Sequence, residues 1–273
     1  MIRFLKRLLL VLAALYVLVC VAVFAFQEVL MFHPVPLAAD HDFKLDYDVQ
    51  EVYVDREDGA RIHGLILSQP NPRGLMLYYH GNSGNLERYS KIMDNFIGQG
   101  YAVAMMDYRG YGKSTGERSE QAMYEDADTF YAFAKARYPA LPTHVYGRSL
   151  GTTFATYVSS RNYVRQLILE APFYSMEDEA HSRYPFLPTG LLLRYTFPTY
   201  EYIDQVQAPI TVVHGTEDRV VAYEHGQRLF TAIPSVDKDF ITIQGAGHNG
   251  LSAYTTYWDA MARKFDFMPS EQP

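Results

Sequence analysis

Cysteine occurs once in 273 residues, at Cys20, so the chain can form neither an intramolecular disulfide nor a cysteine-based metal cage. Positive charge is also scarce. The net charge is -7 and the isoelectric point near 5.7, with no basic stripe in the body of the chain, which argues against a nucleic-acid partner. Nine histidines never fall into His-Glu-x-x-His, so no zinc protease is indicated. Gly112-Lys113-Ser114 resembles the end of a phosphate-binding loop, but Asp107 stands where that loop needs its first glycine. Internal repeats and low-complexity segments are absent too.

What the chain has in quantity is apolar surface, and one block of it stands apart. Arg3, Lys6 and Arg7 precede an uncharged run from Leu8 to Phe26, and the next charge is Glu28. Nineteen residues of helix span about 28 Å, close to the hydrocarbon thickness of a bilayer. The run is long for a signal-peptide apolar region, and Val23-Phe24-Ala25 is a poor cleavage site. A signal anchor over residues 1–27 is expected, with the catalytic domain in residues 28–273. The cations before the run keep that end cytoplasmic and put the domain across the membrane; in a bacterium this means the inner membrane and the periplasm. A buried core helix is the alternative, but a helix apolar on every face at an extreme terminus argues against it.

Beyond a Pro-bearing segment, Glu51–Val54 and Ile62–Leu67 read as a hairpin joined by Arg56-Glu57-Asp58-Gly59. Strands then alternate with helices. Strands are expected at Leu75–Tyr79, Tyr101–Met106, Thr143–Tyr146, Gln166–Leu169, Ile210–Val213 and Asp239–Ile243. Helices are expected at Leu86–Ile97, Glu120–Tyr138, Leu150–Ser160, through Gln227–Phe230, and at Tyr254–Phe265. Continuous apolar strands in this rhythm imply an α/β fold whose mostly parallel sheet is covered by helices on both faces. One insertion, about residues 174–208, breaks the rhythm. It is rich in proline and aromatic residues, and reads either as a lid over the strand ends or as a crossover helix packed on the sheet. As a lid, it would offer Tyr184, Phe186, Leu191, Leu192 and Phe197 to an apolar substrate.

Chemistry centres on Gly147-Arg148-Ser149-Leu150-Gly151, where a strand ends and a helix begins. Glycines on both sides of Ser149 allow strand and helix to approach closely, and the bend lifts the hydroxyl above the sheet edge. A tight βα turn without chemistry is the plain alternative. A nucleophilic serine needs a base and an acid that orients it. Asp218 lies in the loop after the strand Ile210–Val213, and His248 in the loop after Asp239–Ile243. In a parallel sheet these loops share a rim with Ser149. Taken singly, Asp218 could cap a helix and His248 could bond to backbone. The Gly-rich turn His80-Gly81-Asn82-Ser83-Gly84-Asn85 follows another strand, and acyl transfer needs two N–H donors for the oxyanion. Asn82, with Ser83 as substitute, and Leu150 are the candidates; the plain alternative is that His80-Gly81 only shapes a tight turn.

These segments, together with Asp107-Tyr108-Arg109-Gly110-Tyr111-Gly112-Lys113-Ser114, resemble the α/β-hydrolase superfamily from about residue 28 to residue 266. Within it the chain is similar to the membrane-anchored α/β-hydrolase-domain serine hydrolases, some of whose relatives are acyl-protein thioesterases. The resemblance implies an eight-stranded sheet with a lid after the sixth strand. It also implies Ser149 as nucleophile, Asp218 as acid and His248 as base, in the chain order Ser, Asp, His. The expected reaction is hydrolysis of a small-molecule or lipid-like ester or thioester through an acyl-enzyme, with no cofactor or metal. A peptidase of the same fold and a silent membrane-tethered interaction module are the alternatives.

Overall fold

The computed structural model describes residues 1–45, 47–92 and 94–265. Eight strands make one sheet: β1 (Asp48–Asp55), β2 (Arg61–Ser68), β3 (Gly74–Tyr79), β4 (Tyr101–Met106), β5 (Thr143–Arg148), β6 (Gln166–Glu170), β7 (Ile210–Gly215) and β8 (Lys238–Ile243). Their spatial order is β8-β7-β6-β5-β3-β4-β2-β1. β1 and β2 form the expected hairpin, with Val54 opposite Ile62, and β2 runs antiparallel to β4 as well. Every other pairing is parallel. Strands β3 to β7 are buried along their whole length, as their unbroken apolar runs require.

Side chains alternate between two apolar layers. Leu75, Leu77, Ala104, Val145, Leu167 and Val212 face α4 (Glu120–Arg137), α5 (Gly151–Arg161) and α9 (Tyr223–Ala232). Met76, Tyr78, Met105, Tyr146, Ile168 and Val213 face α2 (Leu86–Ile92), α3 (Asp94–Gly98) and α10 (Thr255–Phe265). The expected single helix Leu86–Ile97 is described as α2 and α3, with residue 93 outside the described residues. Residues 266–273, the end of the expected catalytic domain, also lie outside them.

The N-terminal helix α1 (Ile2–Met31) runs past the expected boundary at residue 27. It is long and apolar enough to cross a membrane, and no residue of its apolar window is fully buried. Its last turns do touch the domain: Gln27 is buried and Phe32 enters the core edge-on to Tyr195 and Phe197. The chain after it does not simply lead away. His33 and Pro34 pair in parallel with Ser83 and Gly84, so the exit from α1 lies beside the Gly-rich turn.

The insertion between β6 and β7 holds three short helices, α6 (Met176–Arg183), α7 (Thr189–Leu192) and α8 (Thr199–Ile203). Each of the two sequence-based readings describes one part of it. α8 packs on α5 and α9 with Ile203 in the core, as a crossover would. α6 and α7 stand over the carboxyl ends of the strands.

Candidate active site

Ser149 sits in the left-handed region at φ 51°, a strained conformation for a residue with a side chain. The two flanking glycines make that bend possible. A Cβ on Gly147 would lie 2.5 Å from the Gly151 carbonyl oxygen, and one on Gly151 would lie 2.0 Å from the Tyr79 carbonyl oxygen. Ser149 N–H donates to the Glu170 carbonyl at 2.8 Å, which ties the bend to the neighbouring strand.

The loops after β7 and β8 bring two further side chains to this bend. His248 Nε2 lies 3.0 Å from Ser149 Oγ, and His248 Nδ1 lies 2.7 Å from Asp218 Oδ2. Asp218 Oδ1 accepts the N–H groups of Val220 and Val221 at 2.8 and 2.9 Å. Burial alone would raise the Asp218 carboxyl, but hydrogen bonds from His214, His248 and the backbone outweigh it and hold the group well below the usual carboxylate range. Asp218 is therefore an anion where it meets the imidazole. With Nδ1 donating to that anion, Nε2 is left to accept from the serine hydroxyl.

Asn82 and Leu150 flank Ser149 at the floor of a cavity of about 490 Å³. Among the described residues, no protein group accepts the backbone N–H of either. The Asn82 carbonyl takes Tyr111 Oη at 2.8 Å and the His33 N–H at 2.9 Å, while its side-chain amide donates to the Met31 carbonyl at 3.0 Å. Tyr108 Oη donates to the His80 carbonyl at 2.6 Å. The tyrosines of the Asp107–Ser114 motif thus brace the turn that carries Asn82. The motif is itself anchored by Arg109, whose guanidinium grips Asp126 at 2.6 and 3.0 Å. His80 is buried beside Asp107, 3.3 Å away, and faces no open space.

The cavity walls are mainly apolar, and Tyr184, Phe186 and Leu192 contribute to them. Two expected substrate contacts lie elsewhere. Leu191 is 86% exposed, because it is turned outward on α7 from its neighbour Leu192. Phe197 is buried in the core among Phe32, Tyr124 and Phe154, and cannot meet a ligand.

A family profile described as serine aminopeptidase, S33, matches residues 70–202 and 192–252. Alpha/beta hydrolase domain-containing protein 17B of Xenopus tropicalis is 31% identical over 223 residues, 78% of this chain and 74% of that protein. The chain belongs to the α/β-hydrolase superfamily. The human domain-containing protein 17C is 30% identical to this hydrolase over 237 residues, covering 84% of this chain and 68% of the relative. Among solved structures, an esterase of Pyrococcus furiosus superposes with a TM-score of 0.69 at 17% identity, over 87% of this chain and 98% of its own. A soluble variant of monoglyceride lipase from Saccharomyces cerevisiae, solved with a substrate analog, gives 0.64 at 17% identity, over 84% and 98%. Those two likenesses are of fold.

Arg148, Glu170 and His214, which the sequence suggests as structural rather than chemical residues near the serine, hold this hydrolase's site in shape. Arg148, buried at the centre of the Gly-x-Ser-x-Gly bend, bonds Glu170 at 2.9 Å, Asn249 Oδ1 at 2.6 Å and the His248 carbonyl at 3.2 Å. It bridges the serine bend to the histidine loop. Glu170 completes the brace by also accepting from Tyr146. His214 Nε2 lies 3.2 Å from Asp218 Oδ2 and 3.0 Å from the Val221 carbonyl, behind the acid. A salt-bridging role for Arg148 and Glu170 is expected from the sequence, and they end adjacent strands; the reach to Asn249 is not legible there.

Proposed function

We propose that this α/β hydrolase cleaves carboxylic esters or thioesters of apolar acyl groups through Ser149, His248 and Asp218. The observation that carries the reading is the line of contacts at 3.0 and 2.7 Å from Ser149 through His248 to an ionised Asp218, at the floor of an apolar cavity. His248 Nε2 takes the proton as Ser149 Oγ attacks the carbonyl carbon. The imidazolium is stabilised by Asp218, and the N–H groups of Asn82 and Leu150 receive the oxyanion. The alcohol or thiol leaves with the proton from His248. Water, deprotonated by the same nitrogen, then attacks the acyl-enzyme and releases the acid. Each oxyanion donor would supply about 3–4 kcal/mol in the transition state.

A peptidase reading draws on the description of the family profile. An aminopeptidase must bind a free ammonium, and Glu179 is the one carboxylate among the residues lining the cavity. It is already engaged by Arg183 at 3.0 Å and His225 at 3.1 Å, and burial raises its carboxyl, which disfavours the anion an ammonium needs. The ester reading is therefore the stronger. We further infer that α1 anchors the enzyme in a membrane, with the domain on the non-cytoplasmic side given Arg3, Lys6 and Arg7 before the apolar run.

The test is labelling by a fluorophosphonate, with turnover of p-nitrophenyl esters beside aminoacyl-p-nitroanilides. Labelling and ester hydrolysis are expected in the wild type. In Ser149→Ala labelling should vanish and turnover should fall at least about 10⁴-fold. Equal turnover by the Ser149→Ala variant would overturn the assignment, and preference for the anilides would favour the peptidase.

A further inference from the structure

The cavity above Ser149 is not closed by the catalytic domain alone. Val19, Val23, Leu30 and Met31 of α1 form one wall, facing Phe186 and Leu192. Polar bonds hold this wall in place. Gln27 is buried and doubly engaged: its side-chain amide donates to the Leu192 carbonyl at 3.1 Å, and its Oε1 accepts the Arg194 N–H at 2.7 Å. Eleven residues earlier, Tyr16 Oη donates to the Phe186 carbonyl at 2.9 Å. Between Tyr16 and Gln27 the helix rises about 16 Å, so α6–α7 and the turn joining them follow it for roughly half the thickness of a bilayer's hydrocarbon. Phe186 is 63% exposed and Leu191 86%, which leaves apolar groups beside a helix that is itself apolar on all sides. At the other end of the contact, Glu28 binds Arg118 and Arg194 and accepts from Tyr195, a charged collar suited to the water interface.

We propose that α1 is a wall of the acyl-binding pocket, and that the substrate is an ester whose acyl chain enters sideways from the bilayer between α1 and the α6–α7 segment. The inference rests on the reading of Ser149 as the nucleophile. It assigns to Val19 and Val23 a role in chain-length selection that a simple tether would not have. If the run of residues 8–26 spans the membrane, the turn carrying Phe186 lies at hydrocarbon depth, and the pocket opens where acyl chains already are. A chain bound there remains in apolar surroundings from bilayer to site. The carbonyl at its head then reaches Ser149 near the collar, where water is available for deacylation.

The experiment uses the full chain reconstituted in phosphatidylcholine vesicles, with 4-methylumbelliferyl acetate and palmitate as substrates. Val23→Phe and Val19→Phe narrow the pocket, and Val21→Phe places the same ring on a face of α1 that does not line it. Each methylene denied burial costs about fourfold in binding, so the ratio of palmitate to acetate kcat/KM should fall more than about tenfold in the two pocket variants. It should stay at the wild-type value in Val21→Phe. Fluorophosphonate labelling verifies that each variant is folded. Should a phenylalanine variant fail to fold, Val23→Ala, which widens the pocket, should move the optimum to longer chains. The inference is overturned if a labelled Val23→Phe enzyme keeps the wild-type ratio, or if Val21→Phe shifts it equally. Hydrolysis of acetate that survives Ser149→Ala would instead remove the underlying assignment and leave the pocket question separate.

Discussion

Asp218→Asn tests the electrostatic core of the proposed mechanism with a change of one atom. Asp218 Oδ1 accepts two backbone N–H groups, from Val220 and Val221, while Oδ2 faces His248 and His214. An asparagine must keep its oxygen toward the two N–H groups, because its amide would otherwise point donors at donors. Its NH₂ then faces His248 Nδ1, which can only accept. The imidazole proton is forced onto Nε2, where it points at Ser149 Oγ and cannot receive the serine proton. The side chain keeps its volume and two of its hydrogen bonds, so the fold should survive. The expected cost is about 10⁴-fold in kcat, or about 5.5 kcal/mol of transition-state stabilisation, with KM little changed. The assay is p-nitrophenyl butyrate turnover beside thermal denaturation. A folded Asp218→Asn enzyme with kcat within tenfold of wild type would refute the reasoning. Asp178 is a poor substitute for the acid, since it is bound to Arg228 and lies 3.6 Å from His225.

Three other perturbations follow from the packing. Gly151→Ala would set a Cβ 2.0 Å from a backbone oxygen, so strand and helix must part; we expect destabilisation above about 3 kcal/mol and loss of labelling, whereas Gly98→Ala, with nothing within 4 Å, should leave Tm and activity unaltered. Burial, with Arg165 and Arg73 nearby, pulls the His144 imidazole down to about 4 from its ordinary 6.5. The unfolded chain therefore binds a proton that the fold refuses, so stability is full above pH 6.5 and falls as pH drops toward 4, by about 3 kcal/mol in all; denaturant titrations should show that slope and its absence in His144→Leu. Leu192→Asp puts a carboxylate in the apolar cavity, and should lower kcat/KM for p-nitrophenyl decanoate against acetate by more than about tenfold; an unchanged ratio would mean that the cavity does not hold the acyl chain.

The sheet was legible in the sequence because its strands are buried on both faces and so read as unbroken apolar runs. The serine bend was legible because two glycines at fixed spacing are the steric condition for it. The rim loops followed from parallel topology: once β5, β7 and β8 point the same way, Ser149, Asp218 and His248 end on one edge. Side-chain direction within the insertion was not legible. Leu191 and Leu192 are the same residue type on one helical turn, and only tertiary packing decides that one faces solvent and the other the cavity. Phe197 has the composition of a pocket residue, yet Phe32 from beyond α1 closes over it. The contacts of α1 were hidden for a different reason. A helix apolar on all sides has no face that announces a protein partner. Gln27, an uncharged polar residue just past the run, was the one local sign that this end meets protein.

The position of Asn82 links the end of α1 to the proposed chemistry. An oxyanion donor must be fixed before the substrate arrives, since reorganising it during the reaction would forfeit its advantage. In the proposed mechanism Asn82 meets this condition through bonds at its carbonyl and its side-chain NH₂. The carbonyl is held by Tyr111 and His33, and the side-chain amide is spent on the last carbonyl of α1. Among the described residues its N–H has no protein acceptor at the cavity floor beside Ser149. The same Met31 whose carbonyl fixes this residue also lines the cavity wall. In the proposed mechanism the helix end that would mark the membrane surface thus also helps to set where the reacting carbonyl rests, and Asn82→Ala would keep the donor but lose the side-chain bond to Met31.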